Sequence, residues 1–209
     1  MTSDLAITQA EPRHAEALAA LFESNGFGCF CRFWHFAGTS REWLERCFTH
    51  PEDNRAEMQA ALAQSSPEMW GLVAEDAAGD VVGWLKAAPA GVISKLYNQR
   101  LYKGLPCFGG DRSGVFSIGC MLVREDMRRR GIARSLLREL ILRAPSWGAR
   151  TLEAFPRGDA ALSDAALQGG PLALLSEAGF RVVHDFFPYP VLRLDLGAPG
   201  AVSELRRDH

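Results

Sequence analysis

The chain has 209 residues, of which 47% are hydrophobic, so it is long enough to bury the core of one domain. Its 23 lysines and arginines nearly balance 25 aspartates and glutamates, and a net charge of -2 gives no general reason to bind nucleic acid or an anionic membrane. No signal peptide and no membrane-spanning apolar stretch is recognisable, so the five cysteines predict free thiols in the cytoplasm. We expect a single domain over residues 1–209, with a flexible tail at residues 198–209.

Apolar periodicity and turn residues predict an alternation of strands and helices. In chain order the predicted elements are a strand at 5–8, helices at 11–22, 39–48 and 52–63, hairpin strands at 70–75 and 81–86, a strand at 115–123, a helix at 132–142, a strand at 151–155, a helix at 171–178, and strands at 180–187 and 191–196. The strand at 115–123 is apolar on both faces, as a central strand is. The pattern predicts a mixed α/β fold in which a bent sheet carries helices on both faces.

Two segments do not fit a regular element. Residues 26–36 are dense in aromatic residues and glycine, which suggests that they line a site. Residues 87–114 are rich in glycine and proline, and we expect a long, mobile connection of the kind that often carries function.

The segment at 123–135 leaves the central strand, turns and starts a helix, which is the geometry of an anion site. The first backbone N–H groups of a helix have no intrahelical acceptor and lie at the positive end of its dipole, so a diphosphate can lie against them. Gly131 and Ala133 would let the phosphates approach the backbone. Arg129, Arg130 and Arg134 would add positive charge, and Ser135 a hydrogen bond. Read alone, the arginines are equally consistent with a solvated charged run before an ordinary helix.

The spacing of Arg128, Gly131 and Ala133 resembles the pyrophosphate motif R-x-x-G-x-A of the GNAT superfamily of acetyl-CoA-dependent acyltransferases. The order of elements from about residue 5 to residue 196 also matches that family. The segments at 28–31, 82–84, 116–120, 152–156 and 178–180 look like those of a bacterial subgroup. The resemblance implies a bent, mostly antiparallel sheet with a central splayed pair of strands.

The resemblance further implies how acetyl-CoA lies. Its pantetheine arm would pair with backbone groups around Met121, Leu122 and Val123, and its pyrophosphate would lie on the segment formed by Arg128, Arg129, Arg130, Gly131, Ile132, Ala133, Arg134 and Ser135. The expected reaction is direct transfer of the acetyl group to a primary amine of a small molecule or peptide, without a metal. The resemblance is also compatible with a homodimer.

The catalytic groups of the family are only partly matched. Ser117 stands where related enzymes often carry a glutamate base, so it could at most hold a water, and Glu153 on the neighbouring strand could supply the carboxylate instead. Leu175 stands where the family often has a tyrosine acid, so the CoA thiolate would leave unassisted or with help from Ser176, Tyr189 or water.

The cysteines and histidines give weaker signals. Cys29 and Cys31 form a close pair, but no second pair completes a tetrahedral zinc site, and partly buried thiols near a turn are favoured. Cys120 has no acidic or histidine neighbour that would form a thiolate for covalent transfer, so a buried structural cysteine is favoured. His35 is expected to be a packed, hydrogen-bonded residue.

The acceptor is expected to enter opposite the cofactor, against residues 26–36, the helices that follow and the connection at 87–114. Trp34, Trp43, Tyr97 and Tyr102 in these regions could receive a cationic amine or an apolar body, or belong to the core. Two other functions stay open: an acyl-CoA sensor without catalysis, suggested by Leu175 and the missing glutamate, and a nucleic-acid contact through the arginines, which the net charge disfavours.

Overall fold

The computed structural model describes residues 5–158 and 170–197. Its strands are β1 (Ala6–Gln9), β2 (Gly71–Glu75), β3 (Val81–Pro89), β4 (Val115–Val123), β5 (Thr151–Ala154), β6 (Arg181–His184) and β7 (Val191–Asp195). Its α-helices are α1 (Ala15–Ser24), α2 (Ser40–Thr49), α3 (Pro51–Ala63), α4 (Ser94–Tyr97), α5 (Ile132–Arg143) and α6 (Leu172–Glu177). The tail predicted at residues 198–209 lies outside the described residues.

The seven strands form one sheet with the order β1-β2-β3-β4-β5-β7-β6. Every neighbouring pair is antiparallel except β4 and β5, which are parallel over four residues. β4 is therefore the central strand, as its apolar sequence predicts, and the predicted mixed α/β fold with a mostly antiparallel sheet is confirmed.

Helices cover both faces of the sheet and bury two separate apolar cores. On one face α5 packs its apolar side, including Leu136 and Leu140, against β2, β3 and β4. On the other face Leu18 of α1 and Met58 of α3 pack against Trp84. Because side chains alternate along a strand, neighbouring residues of β3 and β4 serve opposite cores.

Local sequence explains how several helices begin. The Thr39 side chain accepts a hydrogen bond from the Glu42 amide, and the Glu42 carboxylate accepts one from the Thr39 amide, which is the capping box that starts α2. Pro51 opens α3, where its missing N–H costs nothing. Gly131, with φ of +82°, turns the chain into α5.

The connection at 87–114 differs from its prediction. β3 continues to Pro89, and α4 and a short 3-10 helix (Pro106–Phe108) follow. Tyr97, Tyr102 and Phe108 form a third apolar cluster with Phe155, through edge-on ring contacts. The segment is thus packed against the sheet by aromatic residues distant in sequence, and its mobility stays a prediction.

Within residues 5–158 and 170–197, no helix combines the length and the apolar character needed to cross a bilayer.

Candidate functional site

The central strands part after Ile118. β4 pairs with β5 from Val115 to Ile118, and β5 ends at Ala154, so residues 119–123 of β4 have no partner on that side in the described part of the chain. On the other side β3 pairs as far as Val123, with Gly119 bulged out between Ile118 and Cys120. The splayed edge leaves strand amides and carbonyls that an extended ligand can pair with.

A first cleft of about 550 Å³ lies beside this splayed edge, between β4, α5 and α6. We call it the α5 cleft. Eight of the eleven residues that were predicted to hold the cofactor line it: Met121, Val123, Arg128, Arg129, Gly131, Ile132, Ala133 and Arg134. The sequence therefore located this cleft, although the part that each residue plays in binding stays a prediction.

The three other predicted cofactor residues lie outside the lining of the cleft. The Leu122 side chain points to the opposite face of the sheet and packs in the core under α1 and α3. Arg130 is exposed, and Ser135 continues the helix with its amide donating to the Gly131 carbonyl. Leu122 thus presents only its backbone to a ligand on the α5 side.

The start of α5 is open toward the α5 cleft. A Cβ added to Gly131 would meet no atom within 4 Å, and its positive φ of +82° turns the chain into the first turn of the helix. The amides of this turn have no intrahelical acceptor, so they attract an anion together with the guanidinium of Arg129. Arg129 itself has a φ of +61°, which is rare for a residue with a side chain.

Arg128 is held by the protein. Its Nε donates to the Val123 carbonyl at 3.3 Å and its Nη2 donates to the Asn25 side chain at 2.8 Å. These contacts tie the turn before α5 to the end of α1, so Arg128 shapes the turn as well as lining the α5 cleft.

The far wall of the α5 cleft comes from α6, which the sequence did not place there. Pro171, Ala173, Leu174 and Glu177 line this wall. Across the mouth of the cleft, Arg134 Nη2 lies 2.6 Å from Glu177 Oε2. Only the tertiary packing of α6 beside α5 brings this acidic residue to an anion site.

A second cleft of about 500 Å³ lies against the same stretch of β4 from the side of α2. We call it the aromatic cleft. Apart from Gln99, its lining is apolar, aromatic or thiol-bearing, with no aspartate, glutamate, lysine or arginine among the residues described: Gly26, Phe27, Gly28, Cys29, Cys31, Phe33, Trp34, Trp43, Leu44, Cys47, Phe48, Leu96, Gln99, Tyr102, Ile118, Gly119, Cys120 and Phe155. The prediction that residues 26–36 line a site is thereby met in geometry, while an acceptor role stays a prediction.

Trp34 connects the aromatic cleft to the bulge in β4. Its indole Nε1 donates to the Gly119 carbonyl at 2.9 Å. A Cβ at residue 119 would lie 3.3 Å from the Trp34 ring and 3.4 Å from the Lys86 stem, so glycine permits this close packing. The hydrogen bond satisfies a carbonyl that bulging removed from the ladder.

Ser117 and Glu153 lie side by side on β4 and β5, fully buried, and neither lines a cleft. Glu153 accepts two hydrogen bonds from Arg112, two from Arg193 and one from the Tyr97 hydroxyl, which also bonds to Ser117. Burial raises the pKa of Glu153, but these bonds outweigh it and hold the pKa below the ordinary glutamate value. A catalytic role for either residue stays a prediction, and a carboxylate with these contacts is a weak base.

The candidate acids Ser176 and Tyr189 also lie outside the lining of both clefts. Leu175, which stands in place of the family tyrosine, is fully buried in the core under α5. Ser176 is exposed on α6, and Tyr189 packs beside the aromatic cluster at residues 97–108. No cluster of three histidine, cysteine, aspartate or glutamate side chains in residues 5–158 and 170–197 is placed to hold a metal ion.

The model of the acetyltransferase (GNAT) family matches residues 38–164, which is more than half of the chain. The chain belongs to the GNAT acetyltransferase family. Among functionally curated proteins, no sequence matches it significantly. Acetyl transfer is therefore the chemistry of its family, and both clefts lie on the strand that the matched region contains.

Solved structures share the fold at low sequence identity. An N-acetyltransferase from Staphylococcus aureus is 19% identical, with a TM-score of 0.54 over 93% of this chain and 100% of that one. The YncA protein from Salmonella typhimurium, solved with its cofactor acetyl-CoA, is 18% identical, with a TM-score of 0.54 over 94% and 96%. A GNAT acetyltransferase from Brucella melitensis in complex with acetyl-CoA is 18% identical, with a TM-score of 0.52 over 93% and 89%.

Proposed function

We propose that the chain is an acetyl-CoA-dependent N-acetyltransferase that acetylates a primary amine by direct attack in a ternary complex. The observation that carries this proposal is the position of two clefts on one strand. Met121 lines the α5 cleft, and the two preceding residues, Gly119 and Cys120, line the aromatic cleft. An acetyl donor in the first and an amine in the second would meet at the splayed edge of β4.

The α5 cleft fits acetyl-CoA on the chemistry of its donors. The open start of α5 at Gly131 and the guanidinium groups of Arg129 and Arg134 suit a pyrophosphate. The unpaired backbone of residues 119–123 suits the amides of a pantetheine arm, which need no particular side chain. Acetyl-CoA supplies the activated acetyl group when bound, and GNAT relatives solved with acetyl-CoA support this choice of donor.

The aromatic cleft suits an amine carried on an apolar or aromatic body. Trp34, Trp43 and Phe33 line this cleft, and aromatic rings pack against such a body and also attract a cationic amine. The described lining residues include no aspartate, glutamate, lysine or arginine, which disfavours an acceptor with several charges. We therefore assign the acceptor to small apolar amines in preference to charged peptides.

The transfer needs few groups from the protein. The amine nitrogen forms a bond to the acetyl carbon, the bond from that carbon to sulfur breaks, and the nitrogen gives up its protons. Unpaired backbone N–H groups of the splayed edge can polarise the carbonyl oxygen. Because one strand would hold both reactants, the amine and the acetyl group would be oriented for attack. Their reaction would then proceed as an effectively unimolecular step.

Calorimetric titration with acetyl-CoA tests the cofactor site, with wild type compared to Gly131→Ala. The methyl group would project into the α5 cleft and hold a phosphate away from the amides, so we expect binding to be lost. Since φ is +82° at Gly131, the variant also carries strain of about 1 kcal/mol. Gly79→Ala is the matched control, because Gly79 has a φ of +84° and equally open space in the turn between β2 and β3.

Release of free thiol from acetyl-CoA then tests catalysis with a panel of aromatic, aliphatic and polycationic primary amines. We expect turnover with apolar amines in wild type and in Gly79→Ala. Undiminished acetyl-CoA affinity in Gly131→Ala would refute the cofactor site. Tight binding without turnover on any amine would instead identify an acyl-CoA sensor.

A further inference from the structure

One thiol in the wall of the aromatic cleft has surroundings unlike the others. Cys31 is 5% exposed and follows Phe30, and both residues have positive φ, +60° and +42°. Two consecutive left-handed residues with side chains cost about 1 kcal/mol each. This turn directs the thiol inward beneath β3, and strain of this kind is concentrated at functional sites.

Lys86 lies beside this thiol, fully buried, on the face of β3 that Trp84 also occupies. Its Nζ donates to the Cys31 carbonyl at 3.2 Å and lies 2.8 Å from His35 Nε2. Burial and the neighbouring cations lower the pKa of His35 to about 3, so its ring is neutral and accepts this hydrogen bond. Within the described residues no carboxylate lies within 4.0 Å of the Lys86 amine.

A buried ammonium without a counter-anion is costly, so a neighbouring group that can become an anion matters. The Cys31 thiol is such a group, because the Lys86 amine contacts the carbonyl of the same residue. The Cys31 Sγ accepts a hydrogen bond from Trp84 Nε1 at 3.4 Å, and the Cys120 side chain packs in the same core. A donor on the sulfur and a buried amine beside it favour a thiolate.

The charged and titratable groups that face Cys31 come from three directions. Its own segment supplies Cys29, Arg32 and His35, β3 supplies Lys86, and β4 supplies Cys120. Glu68 and Glu57 pair with the Arg32 guanidinium at 2.7 and 3.3 Å. These two carboxylates neutralise Arg32, whereas the Lys86 amine has no carboxylate within 4.0 Å among the described residues.

The pKa shifts of the thiols follow this arrangement. Burial raises the pKa of Cys31, but the neighbouring Cys120 thiol and the charge of Lys86 outweigh it and bring the pKa to about 6. Cys31, and then burial, raise the pKa of Cys120. Burial lowers the pKa of Lys86, and the charge of Cys31 opposes that shift. Burial raises the pKa of Cys29 to about 12 and also raises that of Cys47. Of the four thiols in the aromatic cleft, Cys31 is the one that ionises near neutral pH.

We propose that Cys31, held as a thiolate by buried Lys86, is the general base that removes the proton from the acceptor amine in the aromatic cleft. This inference rests on the proposed acetyl transfer. The ammonium form of the acceptor gives one proton to the Cys31 sulfur. As the nitrogen–carbon bond forms and the carbon–sulfur bond of acetyl-CoA breaks, the second proton passes from nitrogen to the departing thiolate. After product release, water takes the proton from Cys31 and restores the thiolate.

A base role fits the packing of Cys31 better than a covalent role does. A nucleophilic sulfur would have to carry an acetyl group beside the Trp84 indole, which already contacts it, on a residue that is only 5% exposed. Receiving a proton requires no additional space. Lys86 is a positioning residue in this scheme, because it acts on the amine only through the sulfur.

The thiolate can be titrated without any substrate. The ultraviolet absorbance of wild type minus that of Cys31→Ser, followed against pH, should show a thiolate forming near pH 6. Lys86→Met keeps a long, unbranched side chain and removes the cation, so the transition should move toward the ordinary cysteine value of about 8.5. A wild-type transition already near that value would overturn the proposal.

Kinetics test the role in transfer. The kcat/KM of wild type should rise with pH through about 6, because the thiolate is the active form. Cys31→Ala should lose about 100-fold in kcat/KM together with this rise, while its affinity for acetyl-CoA stays unchanged. Cys107→Ser, in a thiol outside both clefts, is the matched control and should keep the wild-type profile.

The outcomes separate this inference from the proposed function. Turnover with an unaltered pH profile in Cys31→Ala would refute the base and leave the acetyltransferase standing. An acetyl group trapped on Cys31 by mass spectrometry in the absence of amine would replace the base with a covalent route. Absence of turnover in wild type with every amine would refute the proposed function, whereas the absorbance titration would still test the Cys31 and Lys86 pair.

Discussion

Arg112 donates to both carboxylate oxygens of Glu153, at 2.9 and 2.8 Å, across 41 residues of chain. The arginine belongs to the connection between β3 and β4, and the glutamate to β5. The Arg112 guanidinium also lies 4.5 Å from the centre of the Tyr97 ring. One buried carboxylate thus fastens the connection at 87–114 to the sheet.

We predict that Glu153→Gln lowers the free energy of unfolding by about 3 kcal/mol at neutral pH, because it removes the anion that two partly buried arginines share. The native pKa of Glu153 is depressed, so its contribution is complete above about pH 4.3 and is lost as pH falls through the native pKa. Denaturant unfolding between neutral and acid pH should show the two proteins converging in acid. If stability is unchanged but turnover falls, Glu153 is the base after all.

Trp34→Phe should leave the bulge carbonyl of Gly119 without its donor and lower stability by about 1 kcal/mol. Because Gly119 lines the aromatic cleft, kcat/KM for the amine should fall more than the affinity for acetyl-CoA changes. Thermal unfolding and steady-state kinetics check these two effects. Trp43→Phe controls for the loss of ring volume in the same cleft. Equal effects of both substitutions would show that the hydrogen bond itself is unimportant.

Glu177→Gln should increase the affinity for acetyl-CoA about threefold at low salt, because it removes a negative charge from the mouth of an anion site and releases Arg134. Stability should change by no more than about 0.5 kcal/mol, since the pair is exposed. Calorimetry at two salt concentrations measures the effect, and Glu139→Gln, on the far part of α5, is the control. A weaker affinity would mean that the pair orders the cleft for binding.

Phe48 is 85% exposed and lines the aromatic cleft, although an exposed aromatic side chain gains nothing from folding. Phe48→Ser should raise KM for an apolar amine about tenfold, because the ring would be partly buried by the acceptor. Its stability and acetyl-CoA affinity should match those of wild type. Phe187→Ser, at a position 75% exposed and away from the cleft, is the control. A KM equal to that of the control would remove Phe48 from the acceptor site.

The sequence predicted best where one local rule decides the structure. The bounds of β4 were predicted to the residue because an apolar run bounded by Gly114 and a charged turn has one interpretation. The helix predicted at 132–142 ends one residue before the observed end of α5 at Arg143. The agreement is close because an amphipathic period and a starting glycine define that helix. These two elements account for one side of the α5 cleft, whereas the wall from α6 depends on tertiary packing.

The parts that escaped prediction depend on partners distant in sequence. Arg112 and Arg193 are 41 and 40 residues from Glu153, and nothing in the local pattern indicates that they neutralise it. Glycine and proline in the connection at 87–114 predict mobility, while its packing against the sheet depends on Phe155, which is distant in sequence. Burial of Lys86 had a local signal, because it lies two residues after Trp84 on the same face of a strand.

The two clefts take their walls from different stretches of the chain. Residues 26–48 supply most of the aromatic cleft, whereas the turn before α5, α5 itself and α6 supply most of the α5 cleft. Under the proposed assignment, substitutions that reshape the amine pocket leave the donor pocket untouched. The residues that would bind the cofactor are therefore separate from those that would select the acceptor. Acceptor preference can diverge between homologues while cofactor binding and acetyl transfer are kept.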